Sequence, residues 1–509
     1  MNHSTEILLT TLNARYAHAS LGLRYLYANL DDLQSRAAII EFVINDQIGD
    51  MVERLLQEKP VIIGFGVYIW NAVQTAVLIR FIRIVAPNTI LVLGGPEVSH
   101  HPIRMDDSAA NYIIQGEAEL AFKNLCQRLL NGDRPKERVI QGEKSPLTAL
   151  QPPYKFYTDD DIKNRCIYVE ASRGCPFRCE FCLSSIDPLV RHGMLDVFFV
   201  EMETLWQRGV RSFKFIDRTF NINIKAANAL LDFFLAKEPP YFLHFEVIPD
   251  HFPESLRQRV AAFPAAALQL EIGIQTLNPT VAATIQRKMN MAKMLDNISF
   301  LTSETKAHMH LDLIVGLPGE TMESFAHGLN QLCAISSCEI QIGILKQLSG
   351  TQLHRHDEQY QMCYAAIAPY ELLQNKQFSF FDMQKMKRFA RFWNLYYNSG
   401  NFKQSVRLLW PDGCAFEHFY DYSQWLYAQT RSTWKIALER LAQLLFDYLN
   451  QHKKVNNSML ADTMIHDIMR LPGRKLPSFL RPYTKHTIPM SKLANDQTNI
   501  RNKRQRHHA

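Results

Sequence analysis

Short apolar runs recur through the first 130 residues: EILLTTL (6–12), AAIIEFV (37–43), VIIGFGV (61–67), TILVLGG (89–95) and NYIIQG (111–116). Each is rich in large or β-branched residues and too short for a buried helix, which predicts strands. The segments between them carry helical spacing, most clearly NAVQTAVLIRFIRIV (71–85). Strand and helix in strict alternation predict an α/β domain with a doubly wound, Rossmann-like parallel sheet and helices on both faces. Ligands of such sheets sit beyond the C-terminal ends of the strands, and here those ends carry Gly64 and Gly66, Gly94 and Gly95, and Gly116 followed by Glu117. Glycine there lets a backbone approach something bulky, although turn formation alone would also use it.

Residues 132–165, rich in Pro, Lys and Asp, read as a linker. A second alternating block follows, with candidate strands CIYVEASR (166–173), SFKFIDR (212–218), FLHFEVIP (242–249), ALQLEIGIQ (267–275), HMHLDLIVGL (308–317) and EIQIGILKQL (339–348). Six strands with intervening helices suit a partial (β/α)6 barrel. Beyond about residue 350 the spacing becomes helical, as in MQKMKRFARFWNLYYNSG (383–400) and STWKIALERLAQLLFDYLNQHKK (432–454), and the aromatics of FARFWNLYYNSGNF (389–402) read as helix core rather than as the wall of a substrate pocket. The expected domains are therefore 1–140, a linker at 141–165, a barrel at 166–348, a helical domain at 349–488 and a tail at 489–509.

With 47% apolar and 21% charged residues the chain is globular, neither disordered nor fibrous. No apolar run approaches the roughly 18 residues of a membrane span, and the N-terminus lacks an export signal, so the reducing cytoplasm is the expected compartment. The net charge of +6 is local: residues 470–509 hold ten Lys and Arg against Asp496 alone, leaving the rest slightly acidic. That tail reads as a solvated, disordered segment, and nucleic acid is not an expected partner.

The nine cysteines form no disulfide framework, because three of them crowd into SRGCPFRCEFCLSS. Cys175, Cys179 and Cys182 are spaced CxxxCxxC just after the first strand of the second block, where a βα loop tops a barrel. Three thiolates leave one iron of a 4Fe-4S cluster open to a small-molecule ligand, whereas structural zinc wants four ligands and usually paired CxxC motifs. Arg173 and Arg178 are the nearby cations available to tune such a cluster.

This spacing resembles the radical S-adenosylmethionine (SAM) signature, and 166–348 resembles the whole barrel of that superfamily. The resemblance implies a 4Fe-4S cluster on the three cysteines, with SAM on its open iron. It places Phe181 beside the adenine, Glu246 and Gln275 as polar contacts to SAM, and Gly316 with Gly319 around the adenine. Asp217, Thr219 and Asn221 of FIDRTFN are expected at the barrel mouth. GFGVYIW, LGGPEVS and IQGEAEL resemble the loops of the cobalamin-binding domain that precedes the barrel in one branch, which implies that Gly64, Gly66, Gly94, Gly95, Gly116 and Glu117 line a corrin site. The histidine hallmark of that domain is not intact, since the spacing from His18 to Gly22 is one residue too long, so cobalamin is expected without a histidine ligand. The implied chemistry is reductive cleavage of SAM to a 5′-deoxyadenosyl radical, with methyl transfer to an unactivated carbon as the commonest outcome and cyclisation or rearrangement as the minority. A flavodoxin- or ferredoxin-type electron donor is the implied partner. A transfer-RNA methylthiolating enzyme would need three further cysteines in its N-terminal domain, and residues 1–165 hold only Cys126. A non-catalytic cobalamin or iron-sulfur module remains the other alternative.

Overall fold

The structure, a computed structural model, describes residues 5–470 and 473–486; the expected tail at 489–509 lies outside them. Six strands form the first sheet: β1 (Ile7–Asn13), β2 (Ala37–Val43), β3 (Ile62–Gly66), β4 (Ile90–Gly94), β5 (Tyr112–Gln115) and β6 (Val139–Gln141). All pair in parallel in the order β2-β1-β3-β4-β5-β6. The period of two along β1 explains the double winding. Leu8 and Leu12 join the core beneath the helices Ile48–Gln57 and Ala72–Val85, while Ile7 and Leu9 pack on the opposite face with Leu23, Phe122 and Leu125. Both faces are covered, as a parallel sheet requires.

The stretch expected as a linker is a packed connection. It supplies β6 and a capped helix, Asp159–Asn164, and it buries Tyr154 and Tyr157. The Tyr157 hydroxyl donates to the Tyr168 carbonyl at 2.7 Å, and Asp161 accepts from Arg24 at 2.7 Å, so polar contacts tie this segment to both neighbours.

The second sheet contains β7 (Ile167–Val169), β10 (Ser212–Phe215), β11 (Phe242–Val247), β12 (Leu268–Gln275), β13 (His308–Val315) and β14 (Glu339–Ile344). Between β7 and β10 lies a two-stranded ribbon, β8 (Ser172–Arg173) and β9 (Arg191–His192). The six long strands run parallel in the order β14-β13-β12-β11-β10-β7, and β14 and β7 do not pair, which leaves the barrel partial. The free edge of β14 is partly closed by Asn398, whose amide accepts from Ile340 N–H and donates to Ile340 C=O, each at 2.9 Å. Asn398 belongs to the C-terminal helical region, where the helices Phe380–Trp393, Ala415–Thr430, Leu438–Lys453 and Asn457–Met469 share one continuous core with the barrel. Phe389, Phe392, Trp393, Tyr396 and Phe402 are fully buried in it, as their helical spacing suggested. No helix among the described residues is long and apolar enough to cross a membrane.

Candidate active site

The cysteine loop leaves the sheet at β7 and is closed at its neck by the β8–β9 ribbon. Gly174 has φ +98°, and a Cβ there would lie 2.3 Å from the Leu189 carbonyl, so the turn into Cys175 requires glycine. Cys175 N–H donates to Asp187 O at 2.9 Å, and Glu180 N–H donates to Ile285 O at 3.0 Å. The buried Glu180 carboxylate accepts from His356 Nε2 at 2.5 Å and Arg355 Nη1 at 3.2 Å, which fastens the loop to the segment beyond β14.

All three cysteines open into one cleft with Phe177, Phe181, Arg218, Thr219, Glu246, Gln275, Arg287 and Asp312 in its walls. The cleft and its open mouth together enclose about 860 Å³. Burial pushes the Cys175 thiol up to about 11, and the neighbouring Cys182 and Cys179 push the same way. Burial also raises Cys179, opposed by Arg287, whose Nη1 lies 3.5 Å from its sulfur. Thiols so placed ionise when a metal centre supplies the compensating charge. Arg287 is in turn held by the carbonyls of Gly273 and Ile274 at the end of β12.

The far wall is polar. Glu246 accepts from Arg218 at 2.9 Å, and its carboxyl is raised by burial against that guanidinium. Burial, with Glu271 and Glu246 nearby, pushes Asp312 well above the usual carboxylate range. Glu271 goes the other way: burial opposes ionisation, but a 2.9 Å contact from His244 holds the carboxyl low, at about 2. Thr219 Oγ1 and Asp312 Oδ1 are buried in this wall without a hydrogen-bond partner, which leaves a donor and an acceptor for a ligand. Gln275 sits at a bulge where the β12–β13 register slips, with φ +71°, and its side chain folds over Gly273.

Phe181, Glu246 and Gln275 line this cleft. Asp217 does not. Its buried carboxylate accepts from Ala171 N–H at 3.0 Å and Ser172 Oγ at 2.6 Å, directly beneath the root of the cysteine loop. Asn221 is also turned away from the mouth, bonded to the backbone of Ile248 and His251. Gly316 lies outside the cleft: a Cβ there would meet Leu372 Cδ2 at 2.4 Å, so its glycine accommodates the C-terminal region. Of the expected tuning cations, Arg178 is exposed and Arg173 faces a group of glutamates; Arg287, in a run without any distinguishing pattern, places its guanidinium against the Cys179 sulfur.

A second cleft lies over the ends of β3, β4 and β5, lined by Gly64, Gly66, Gly94, Gly95, Gly116 and Glu117. These glycines differ in what they permit. A Cβ on Gly64 would strike the Phe122 ring at 2.8 Å, whereas one on Gly94 would meet only the Ile114 carbonyl at 3.8 Å and would stand in the cleft itself. His18 is not part of this lining; its Nδ1 is 2.7 Å from the Tyr168 hydroxyl at the boundary with the barrel.

Arg173, two residues before Cys175, stands in the wall of the glycine-edged cleft. Its guanidinium pairs with Glu119 at 2.7 Å and Glu170 at 2.9 Å and lies 4.7 Å from the Tyr25 ring centre. Arg191 of the ribbon donates to Glu117 at 3.0 Å in parallel.

Comparison with known proteins accords with this two-cleft arrangement. Residues 7–126 match the B12 binding domain, 169–332 the radical SAM superfamily, and 358–507 a protein domain of unknown function, DUF4080. The chain pairs a B12-binding domain with a radical SAM domain. Its cofactors are accordingly a 4Fe-4S cluster, SAM and cobalamin. The three converging thiols and the unpartnered polar atoms fit the first two, and the open backbone at Gly94 fits a bulky corrin. The chain is similar to an uncharacterized methyltransferase, PH0819, of Pyrococcus horikoshii, with 26% identity over 41% of this chain and 50% of that protein. It is also similar to the cobalamin-dependent radical SAM methyltransferase TokK of Streptomyces tokunonensis, with 24% identity over 56% of this chain and 47% of that protein. The chain spans about half the length of the curated relatives it matches. In fold, the chain resembles the cobalamin-dependent SAM radical enzyme OxsB, with a TM-score of 0.60 at 12% identity over 98% of this chain and 83% of that one.

Proposed function

We propose that this chain is a cobalamin-dependent radical SAM methyltransferase acting on an unactivated carbon. The observation that carries the reading is the position of Arg173, which lines the glycine-edged cleft, pairs with Glu119 of the first domain and stands two residues before Cys175, so the two cofactors would be neighbours. On this reading residues 1–140 hold the corrin, 166–348 hold the cluster and SAM, and 349–488 brace the barrel. When bound, the groups supply one-electron cleavage of a sulfonium and a transferable methyl group. Cys175, Cys179 and Cys182 would hold the cluster, with Arg287 donating toward Cys179. Thr219, Glu246, Gln275 and Asp312 would orient SAM, Phe181 would lie against its adenine, and the apolar cleft walls would exclude water. Gly64, Gly66, Gly94, Gly95, Gly116 and Glu117 would border the corrin.

The test is anaerobic incubation of the reduced, cofactor-loaded protein with methyl-labelled SAM and a small-molecule extract. Methyl transfer to carbon would place label in a product and release S-adenosylhomocysteine together with 5′-deoxyadenosine in equal amounts. Release of 5′-deoxyadenosine without S-adenosylhomocysteine would replace this reading with cyclisation or rearrangement, and release of neither would replace it with a non-catalytic role.

A further inference from the structure

At the opposite end of the barrel from the cysteines stands a second group of metal-ligating side chains. His308 and His310 are the first and third residues of β13, and Glu339, the first of β14, is paired with His310 in the parallel register. Residues two apart on a strand share a face, and the burial pattern of β13 shows which one. Met309, Leu311 and Leu313 point into the apolar core, so His308 and His310 stand on the other face, the one that carries Asp312 into the SAM cleft. The two imidazoles converge on one carboxylate: His308 Nε2 is 3.0 Å from Glu339 Oε1, and His310 Nε2 is 2.6 Å from Oε2. Taken one atom from each residue, the ligand atoms all lie within 4.8 Å of one another. Bonds of about 2.0–2.2 Å from one zinc ion to imidazole nitrogen and carboxylate oxygen would span the 3.0 and 2.6 Å separations between the imidazoles and the carboxylate.

We propose that His308, His310 and Glu339 form a binding site for a divalent transition-metal ion of the zinc class, separate from the cysteine cluster. Two imidazoles and one carboxylate are the donor set that zinc accepts when it keeps a coordination position open. The side chains are 25%, 20% and 19% exposed, and His308 and Glu339 line a surface cleft with Cys338 and Lys403, which gives an ion a route from solvent. An ion here would fasten β13 to the edge strand β14 at the base of the barrel.

The experiment uses the full chain with its cluster reconstituted, given equimolar zinc and then desalted, with metal content measured. About one zinc per chain should remain, and should remain in a Cys175→Ala, Cys179→Ala, Cys182→Ala variant, since the proposed ligands are not thiols. Glu339→Gln and His310→Gln should each lower retention at least tenfold, while circular dichroism without zinc stays that of the parent. Cobalt in place of zinc should give visible d–d bands without a thiolate charge-transfer band. Zinc retention unaffected by Glu339→Gln, loss of retention in the cysteine variant, or a thiolate band with cobalt would each overturn the proposal.

Discussion

Arg173→Met removes the cation at the seam between the two clefts. Arg173 is 15% exposed and holds Glu119 and Glu170, which are 9% and 7% exposed, so the pairs are barely screened by water. Removing one partner of a buried pair costs about 3–5 kcal/mol, because the remaining charge is uncompensated. Glu170 escapes part of that: burial already pushes its carboxyl up to about 7 against Arg173, and without the guanidinium it takes up a proton at neutral pH. Glu119 bears the rest, together with lost stacking on Tyr25 of about 0.5–2 kcal/mol, so we expect a net loss near 3 kcal/mol. Urea unfolding of the metal-free chain measures it. Because the same residue roots the cysteine loop and walls the glycine-edged cleft, iron and corrin content should fall together. Arg173→Lys, which keeps the charge without the fork of donors, should lie between. A loss below about 1 kcal/mol with both cofactors at wild-type content would refute the seam as the link between the sites.

Gly94→Val should lower corrin content several-fold with iron content and unfolding unchanged, whereas Gly64→Ala should destabilise the first domain by about 1–3 kcal/mol by pressing on Phe122. Arg287→Met should keep the cluster but make its reduction potential more negative, by about 40–90 mV for a lost hydrogen bond of about 1–2 kcal/mol, read by redox titration; an unchanged potential would remove Arg287 from the tuning role. Burial pushes Asp217 up to about 6 from an ordinary 3.8, so its contribution is full below pH 3.8 and is lost as pH rises through 6. Stability of the metal-free chain should therefore fall by about 3 kcal/mol across that window, and Asp217→Asn should flatten the fall.

Strands with unbroken apolar or alternating runs were legible because burial on a sheet face dictates those residues; β2 begins and ends where the sequence placed it. β6 was not legible, since its VIQ is a short, largely exposed edge strand whose pattern carries no burial signal. The meeting of Cys175, Cys179 and Cys182 in one cleft was legible from their spacing, because one short loop carries all three. Asp217 lies off the cleft because the chain leaves β10 at Phe215 and the carboxylate is taken up by Ala171 N–H and Ser172 Oγ. Gly316 was misjudged because its neighbour Leu372 is remote in sequence. Arg287 carries no local signal; its role exists only once the β12 bulge brings it to Cys179.

Iron, sulfide and corrin quantification after anaerobic purification from cells grown with cobalamin compares the wild type with the Cys175→Ala, Cys179→Ala, Cys182→Ala variant. Side-by-side cofactor sites predict about four irons and one corrin per chain, with the iron lost and the corrin kept in the variant. Iron without corrin in the wild type would contradict the assignment of the glycine-edged cleft and, with it, the methyltransferase reading.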